Sequence, residues 1–153
     1  MKLTVTAQLW TANAARKMHH MTEAQLVGEA RWAAKVLALE EVSKWRHPQM
    51  GGRAFGDSFV RYHSPVRIVA RPIQARAPLA DPGAHAPVVK AIIDGLVDAR
   101  VLAGDTLEYV ASIEHLPPRK AGKREKEGVE ITINEEGDNE NNGTPAITEN
   151  GGS

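Results

Sequence analysis

Apolar and polar residues alternate at the start of the chain. Leu3, Val5, Ala7 and Leu9 interleave with Thr4, Thr6 and Gln8, which predicts a half-buried strand over Lys2–Leu9. The stretch Trp10–His20 carries no period and reads as a loop. Thr22 and Gln25 have capping-box spacing, and the helix they open is predicted to run to about Lys44. Its inward positions are expected to be Leu26, Ala30, Ala33, Val36 and Leu37. A second strand is predicted over Pro65–Ile73, with Val66, Ile68 and Ala70 on one side and Arg67, Val69 and Arg71 on the other. A second helix should open at His85 or Ala86, because Pro87 suits a first-turn position. Val88, Val89, Ile92, Ile93, Leu96 and Val97 give that helix a wide apolar face. Leu107–Glu114 and Val129–Ile133 alternate again and predict two further strands, paired as an antiparallel hairpin. The expected fold is therefore α/β of the α+β kind: a mixed sheet of about four strands with two helices, in the order β-α-β-α-β-β.

Length adds one domain, and at 153 residues the chain can bury a real core without staples. The chain has no Cys, so disulfides and thiolate zinc sites are excluded. No apolar run approaches ~20 residues, so no membrane span is expected and a cytoplasmic location is the default. The formal net charge of zero hides an uneven distribution. Residues 135–153 hold five acidic side chains and no Lys or Arg, which leaves 19 basic against 14 acidic on the body, a net of +5. The division expected is a folded domain over 1–134 and an acidic, disordered tail over 135–153. The aperiodic, glycine-rich stretch 47–63 reads equally as a lid, a substrate arm or an insertion.

Candidate chemistry concentrates between Pro78 and Val110. Lys90, Asp94 and Asp98 repeat every four residues on the polar side of the second helix, Asp81 precedes that helix, and Asp105 follows it. Two carboxylates and a lysine brought together would hold a hard cation against a phosphate and neutralise the charge that develops there. Arg67, Arg71 and Arg76 supply planar donors suited to phosphate oxygens, and the turn Pro117–Glu127 adds Arg119, Lys120, Lys123 and Arg124. Asn13, Arg16 and Lys17 stand in the loop after the first strand. No glycine-rich loop follows that strand, so no nucleotide cofactor is expected.

The run Lys90–Val110, KAIIDGLVDARVLAGDTLEYV, resembles the RusA-type Holliday junction resolvases common in phages and prophages. It is similar to that family's lysine, Asp-x-Leu, Ala-Gly, acidic pair and following strand, and the resemblance extends to the first strand, the Asn-bearing loop, the Pro65 strand and the final hairpin. It implies a homodimeric, magnesium-dependent crossover junction endonuclease, with manganese as a substitute, acting on branched DNA in a host cytoplasm. Carried over position by position, Lys90 and Asp105 are catalytic, Asp94 is the helical Asp, and Asn13 is the loop Asn. The second acid of the pair is Asp105, and the first position holds Gly104. Upstream, the family's Asp-x-Asp-Asn falls on Ala84, Ala86 and Pro87, so Asp81 and His85 are the candidates to complete the catalytic and metal set with Asp105. The DNA-binding residues implied are Asn13, Arg16, Lys17, Arg67, Arg71, Arg76, Arg119, Lys120, Lys123 and Arg124. Two other functions fit the same residues: a RusA-like protein that binds branched DNA without cutting, and a small phage interaction module.

Overall fold

A computed structural model describes residues 1–44 and 60–136. Most of the 47–63 stretch and nearly all of the acidic tail lie outside the described residues. The elements are β1 (Lys2–Thr6), α1 (Ala12–Ala15), α2 (His20–Lys44), β2 (Val66–Gln74), α3 (Ala86–Asp98), β3 (Val110–His115), β4 (Arg119–Lys120) and β5 (Gly128–Glu135). The fold is α+β, a mixed five-stranded sheet with helices on one face, as the periodicities predict. β5 ends at Glu135, one residue beyond the expected domain boundary.

Strand pairing departs from the expected hairpin. The order is β1-β5-β2-β3, with β5 inserted antiparallel between β1 and β2. β3 instead pairs parallel to β2, which makes β2-α3-β3 a crossover unit. β4 continues along the same edge of β2, where Ile73 faces Arg119 and Gln74 faces Lys120. Between β3 and β4, Leu116 N–H still donates to the Ala70 carbonyl, but Pro117 and Pro118 offer no N–H and break the ladder. Periodicity fixes which face a residue occupies, not which strand lies beside it. That is why the expected hairpin is absent although the alternation holds: Val66, Ile68 and Ala70 share one face, and they and Val129, Ile131 and Ile133 are all in the core.

The core lies between this sheet and the pair α2 and α3. Val88, Val89, Ile92, Ile93 and Leu96 are buried, as the wide apolar face requires. The inward face of α2 is instead Leu26, Ala30, Ala34, Ala38 and Val42, while Ala33 and Leu37 are half-buried and Val36 is exposed. This face follows the small residues because α2 and α3 approach closely. A side chain on Gly95 would meet the Arg31 carbonyl at 2.3 Å and Ala34 Cβ at 2.9 Å. Arg31 clasps Asp98 beside that contact, Nε to Oδ2 at 2.5 Å and Nη2 to Oδ1 at 2.8 Å. The start of α2 also differs from the capping-box expectation. His19 caps the helix, its carbonyl accepting from Thr22 and Glu23 and its Nδ1 accepting from Met21 N–H at 3.3 Å. Gln25 donates instead to Glu29. No helix among the described residues is long and apolar enough to cross a membrane.

Candidate functional site on the outer face of the second long helix

α3 opens where the sequence predicts, with His85 at its N-cap and Pro87 in the first turn. Its buried face docks on the sheet and turns Lys90 and Asp94 outward. The chain leaves α3 through Ala99 and Arg100, the latter at φ 58, and buries Val101 and Leu102. It then returns past Gly104 and Asp105 into a turn in which the Thr106 carbonyl accepts from both Tyr109 and Val110 N–H. The predicted third strand therefore starts at Val110 rather than Leu107, and Leu107 is exposed. Asp105 is held by this turn, not by the sheet ladder.

The return path brings Asp105 onto Lys90. Lys90 Nζ donates to Asp105 Oδ2 at 2.6 Å and to Asp94 Oδ1 at 2.5 Å. The two carboxylates thus converge on one ammonium. Their hydrogen bonds to it hold Lys90 above the usual lysine range, Asp105 first and Asp94 second. Lys90 in turn holds Asp105 below the usual carboxylate range. All three side chains keep solvent contact and are reachable from outside. Asp94 was expected only as the helical Asp of the motif, and its share in this cluster is what sequence reasoning missed. The i,i+4 spacing from Lys90 was the signal that could have found it.

Gly104 has a physical counterpart in this geometry. A Cβ there would lie 2.8 Å from Tyr109 Cδ2 and 3.1 Å from Cε2. The Tyr109 ring fills the space that the first acid of the pair would need.

Asp81 and His85 do not join the cluster. Asp81 is exposed and uses its backbone carbonyl to accept from Ala84 N–H, and its carboxylate has no partner among the described residues. His85 is buried, 4% exposed, with Nδ1–H donating to the Trp10 carbonyl at 3.0 Å. It ties the α3 cap to the loop after β1, as does the Ala12 N–H donating to Ala84. His85 Nε2 and Trp10 Nε1 are buried without a protein partner. Among the described residues no group of three or more His, Asp or Glu can share a metal ion. Asp81, His85 and Asp105 therefore form no such group. The donor set that suits magnesium is the carboxylate pair Asp94 and Asp105, since magnesium takes oxygen ligands and keeps several waters.

The cations sort into two groups. Arg67 bonds Glu114 across β2 and β3. Arg119 is committed to Glu125, at 2.6 and 2.7 Å, and to Glu130. Those hydrogen bonds raise Arg119 and bring Glu125 down to about 2, Arg119 first and the Gly122 N–H second. Arg71 is half-buried on the same open sheet face, opposite Glu130 in register. Of the arginines expected on and after β2, Arg67 is matched by an acid on the neighbouring strand, whereas the buried Nε of Arg71 has no hydrogen-bond partner among the described residues. A hollow of about 540 Å³ on this face is lined by Arg67, Ser112, Glu114, Asn134, Glu135 and Glu136, and excludes the Lys90 cluster. Arg16, Lys17, Arg76, Lys120, Lys123 and Arg124 are exposed and show no ion pair among the described residues, and Asn13 is exposed beside them on α1. They gather at one end of the sheet. The loop carrying Arg16 and Lys17 is tied to Ala84, and Ala121 N–H donates to Gln74, whose side chain also accepts from Ala80 N–H.

No protein-family model, curated protein or solved structure matches this chain.

Proposed function

We propose that this protein is a structure-specific endonuclease that resolves four-way DNA junctions by magnesium-dependent phosphodiester hydrolysis, in the manner of the RusA-type resolvases its central motif resembles. The observation that carries the reading is the convergence of Lys90, Asp94 and Asp105, three residues of that motif, on one solvent-facing point. The unpaired cations at the α3 N-terminal end of the sheet support it, because they are free to take phosphates without reading bases.

Each residue has a defined task. Asp94 and Asp105 present hard oxygen donors and would hold the metal, which when bound supplies an activated water and a Lewis acid. Lys90 carries a fixed positive charge. Placed between the two carboxylates, it would neutralise a phosphate oxygen as charge develops there. Arg16, Lys17, Arg76, Lys120, Lys123 and Arg124 anchor the flanking backbone. A dimer would offer two such sites to a two-fold junction.

A second reading is that the protein binds branched DNA without cutting it. It is favoured by the Tyr109 ring, which stands where the first acid of the pair would follow Ala103. Incubating the protein with a labelled four-way junction, with magnesium, manganese or neither, separates the two. Paired nicks that need the metal and vanish in Asp105→Asn establish the nuclease. Tight junction binding in both metals without any nick establishes the binding protein, and absence of junction binding overturns both.

A further inference from the structure

Lys90 occupies the carboxylates that a divalent cation would need. Its ammonium donates to one oxygen of Asp94 and one of Asp105, which uses all but one of its N–H donors. Those bonds hold Lys90 above the usual lysine range, Asp105 first, so the ammonium stays charged. The two acids have no help at hand, because no third His, Asp or Glu among the described residues can join them around an ion. Stability does not account for the arrangement. Exposed ion pairs add little, and the turn that carries Asp105 is already closed by the Thr106 carbonyl.

Charge shows what the arrangement does. The formal charges of Asp94, Asp105 and Lys90 leave a single negative charge. A divalent ion alone would turn that into a single positive charge and would meet the ammonium on the same two acids, where like charges repel. A DNA phosphate restores neutrality. It also brings oxygen ligands of the kind magnesium takes from a substrate when the protein supplies only one or two carboxylates. For Lys90 the phosphate is a third acceptor, and one N–H is already spare for it. The Lys90 side chain is 55% exposed, so a turn toward DNA disturbs no packing.

Building on the nuclease reading, we infer that Lys90 closes the Asp94–Asp105 pair to divalent cations in the free protein, so that cation and DNA phosphate are taken up together. The site then assembles only on bound DNA, which confines hydrolysis to a docked substrate. Binding linkage is reciprocal. DNA must tighten cation binding by the factor by which the cation tightens DNA binding, about 5- to 150-fold for couplings of ordinary size. Lys90 carries that coupling, because it is the group that both ligands must act on: the cation needs its acceptors, and the phosphate offers it another.

Manganese binding to the full-length protein, followed by the EPR signal of the free ion, tests the closed state without any cleavage. Lys90→Met removes the ammonium and keeps the length of the side chain. It should bind manganese at least about tenfold more tightly than wild type, and adding Asp105→Asn should cancel the gain. Junction affinity in EDTA and in calcium, at one ionic strength, tests the coupling. Calcium takes the same oxygen ligands. It should tighten binding by wild type at least about fivefold and by Lys90→Met distinctly less, with Asp105→Asn as the baseline for what calcium does to the DNA alone. Equal manganese binding by wild type and Lys90→Met, tight or weak, overturns the inference, and so does equal tightening by calcium. If Lys90→Met does not fold, Lys90→Gln takes its place. If the protein binds no junction at all, the nuclease reading fails, and the manganese titration still decides whether Lys90 closes the pair.

Discussion

Lys90 Nζ stands 2.6 Å from Asp105 Oδ2, a contact closed across fifteen positions by the end of α3 and the turn before β3. The helix alone would give Lys90 only Asp94. The turn supplies the second carboxylate and makes an ordinary surface pair into a place where a cation and a phosphate could both be held.

Replacing Asp105 by Asn keeps shape and removes the charge a metal needs. Nicking of a four-way junction should fall by at least about 100-fold, while binding in a gel without metal stays the same or tightens. Asp94→Asn should behave alike, because both oxygens face the same point. Asp81→Asn should leave cleavage within a few-fold of wild type. A loss with Asp81→Asn equal to that of Asp105→Asn would show that the ligand pair was misassigned.

Lys90→Ala leaves Asp94 and Asp105 without their shared ammonium. Junction binding should weaken, and the single-turnover rate at saturating protein should drop about 100- to 1000-fold through lost stabilisation of the transition state. Rate measurements at fixed magnesium with excess protein separate the two effects.

Gly104→Asp adds an acid but drives its Cβ into the Tyr109 ring. Alone it should lower the melting temperature without raising activity. Combined with Tyr109→Ala it should lower the magnesium concentration needed for half-maximal nicking. No change in that concentration in the double variant would show that the space beside Asp105 is not a ligand position.

The exposed, unpaired cations should matter more to DNA than the paired ones. Each of Lys120→Ala, Lys123→Ala and Arg124→Ala should reduce the salt slope of junction binding by about one unit. Arg67→Ala and Arg119→Ala should change it less, since Glu114, Glu125 and Glu130 already hold those guanidiniums. Arg119→Ala should instead return the Glu125 carboxyl from about 2 toward its ordinary 4.5 in an NMR titration. Because folding depresses Glu125, its small contribution to stability is complete above pH 4.5 and disappears as pH falls through about 2.

Gly95→Ala would ordinarily favour a helix by about 1 kcal/mol. At this position the added methyl meets the Arg31 carbonyl, and α2 must move off α3. A net destabilisation of about 1–3 kcal/mol in urea melts is expected. A stabilised variant would show that the helix pair is more loosely packed than the Gly95–Ala34 contact implies.

Local pattern alone determined much of this protein. The alternation of Val129, Ile131 and Ile133, the wide apolar face of α3 and the start of that helix at His85 all follow from periods of two and 3.6 residues, and from a proline whose missing N–H costs nothing in a first turn. The pairing of Lys90 with Asp94 was likewise legible as a one-turn repeat. The tertiary structure decided what local pattern leaves degenerate. α2 carries alanine or larger apolar residues on opposite sides, so either could have faced inward, and the close approach of Gly95 selected Ala30, Ala34 and Ala38. β5 enters between β1 and β2 because strand pairing is chosen by contacts far apart in sequence. The same distance hid the bond from His85 to Trp10, 75 residues away, and the Tyr109 ring over Gly104. A side chain's periodicity is set by its own backbone, but its partner is set by where the rest of the chain closes around it.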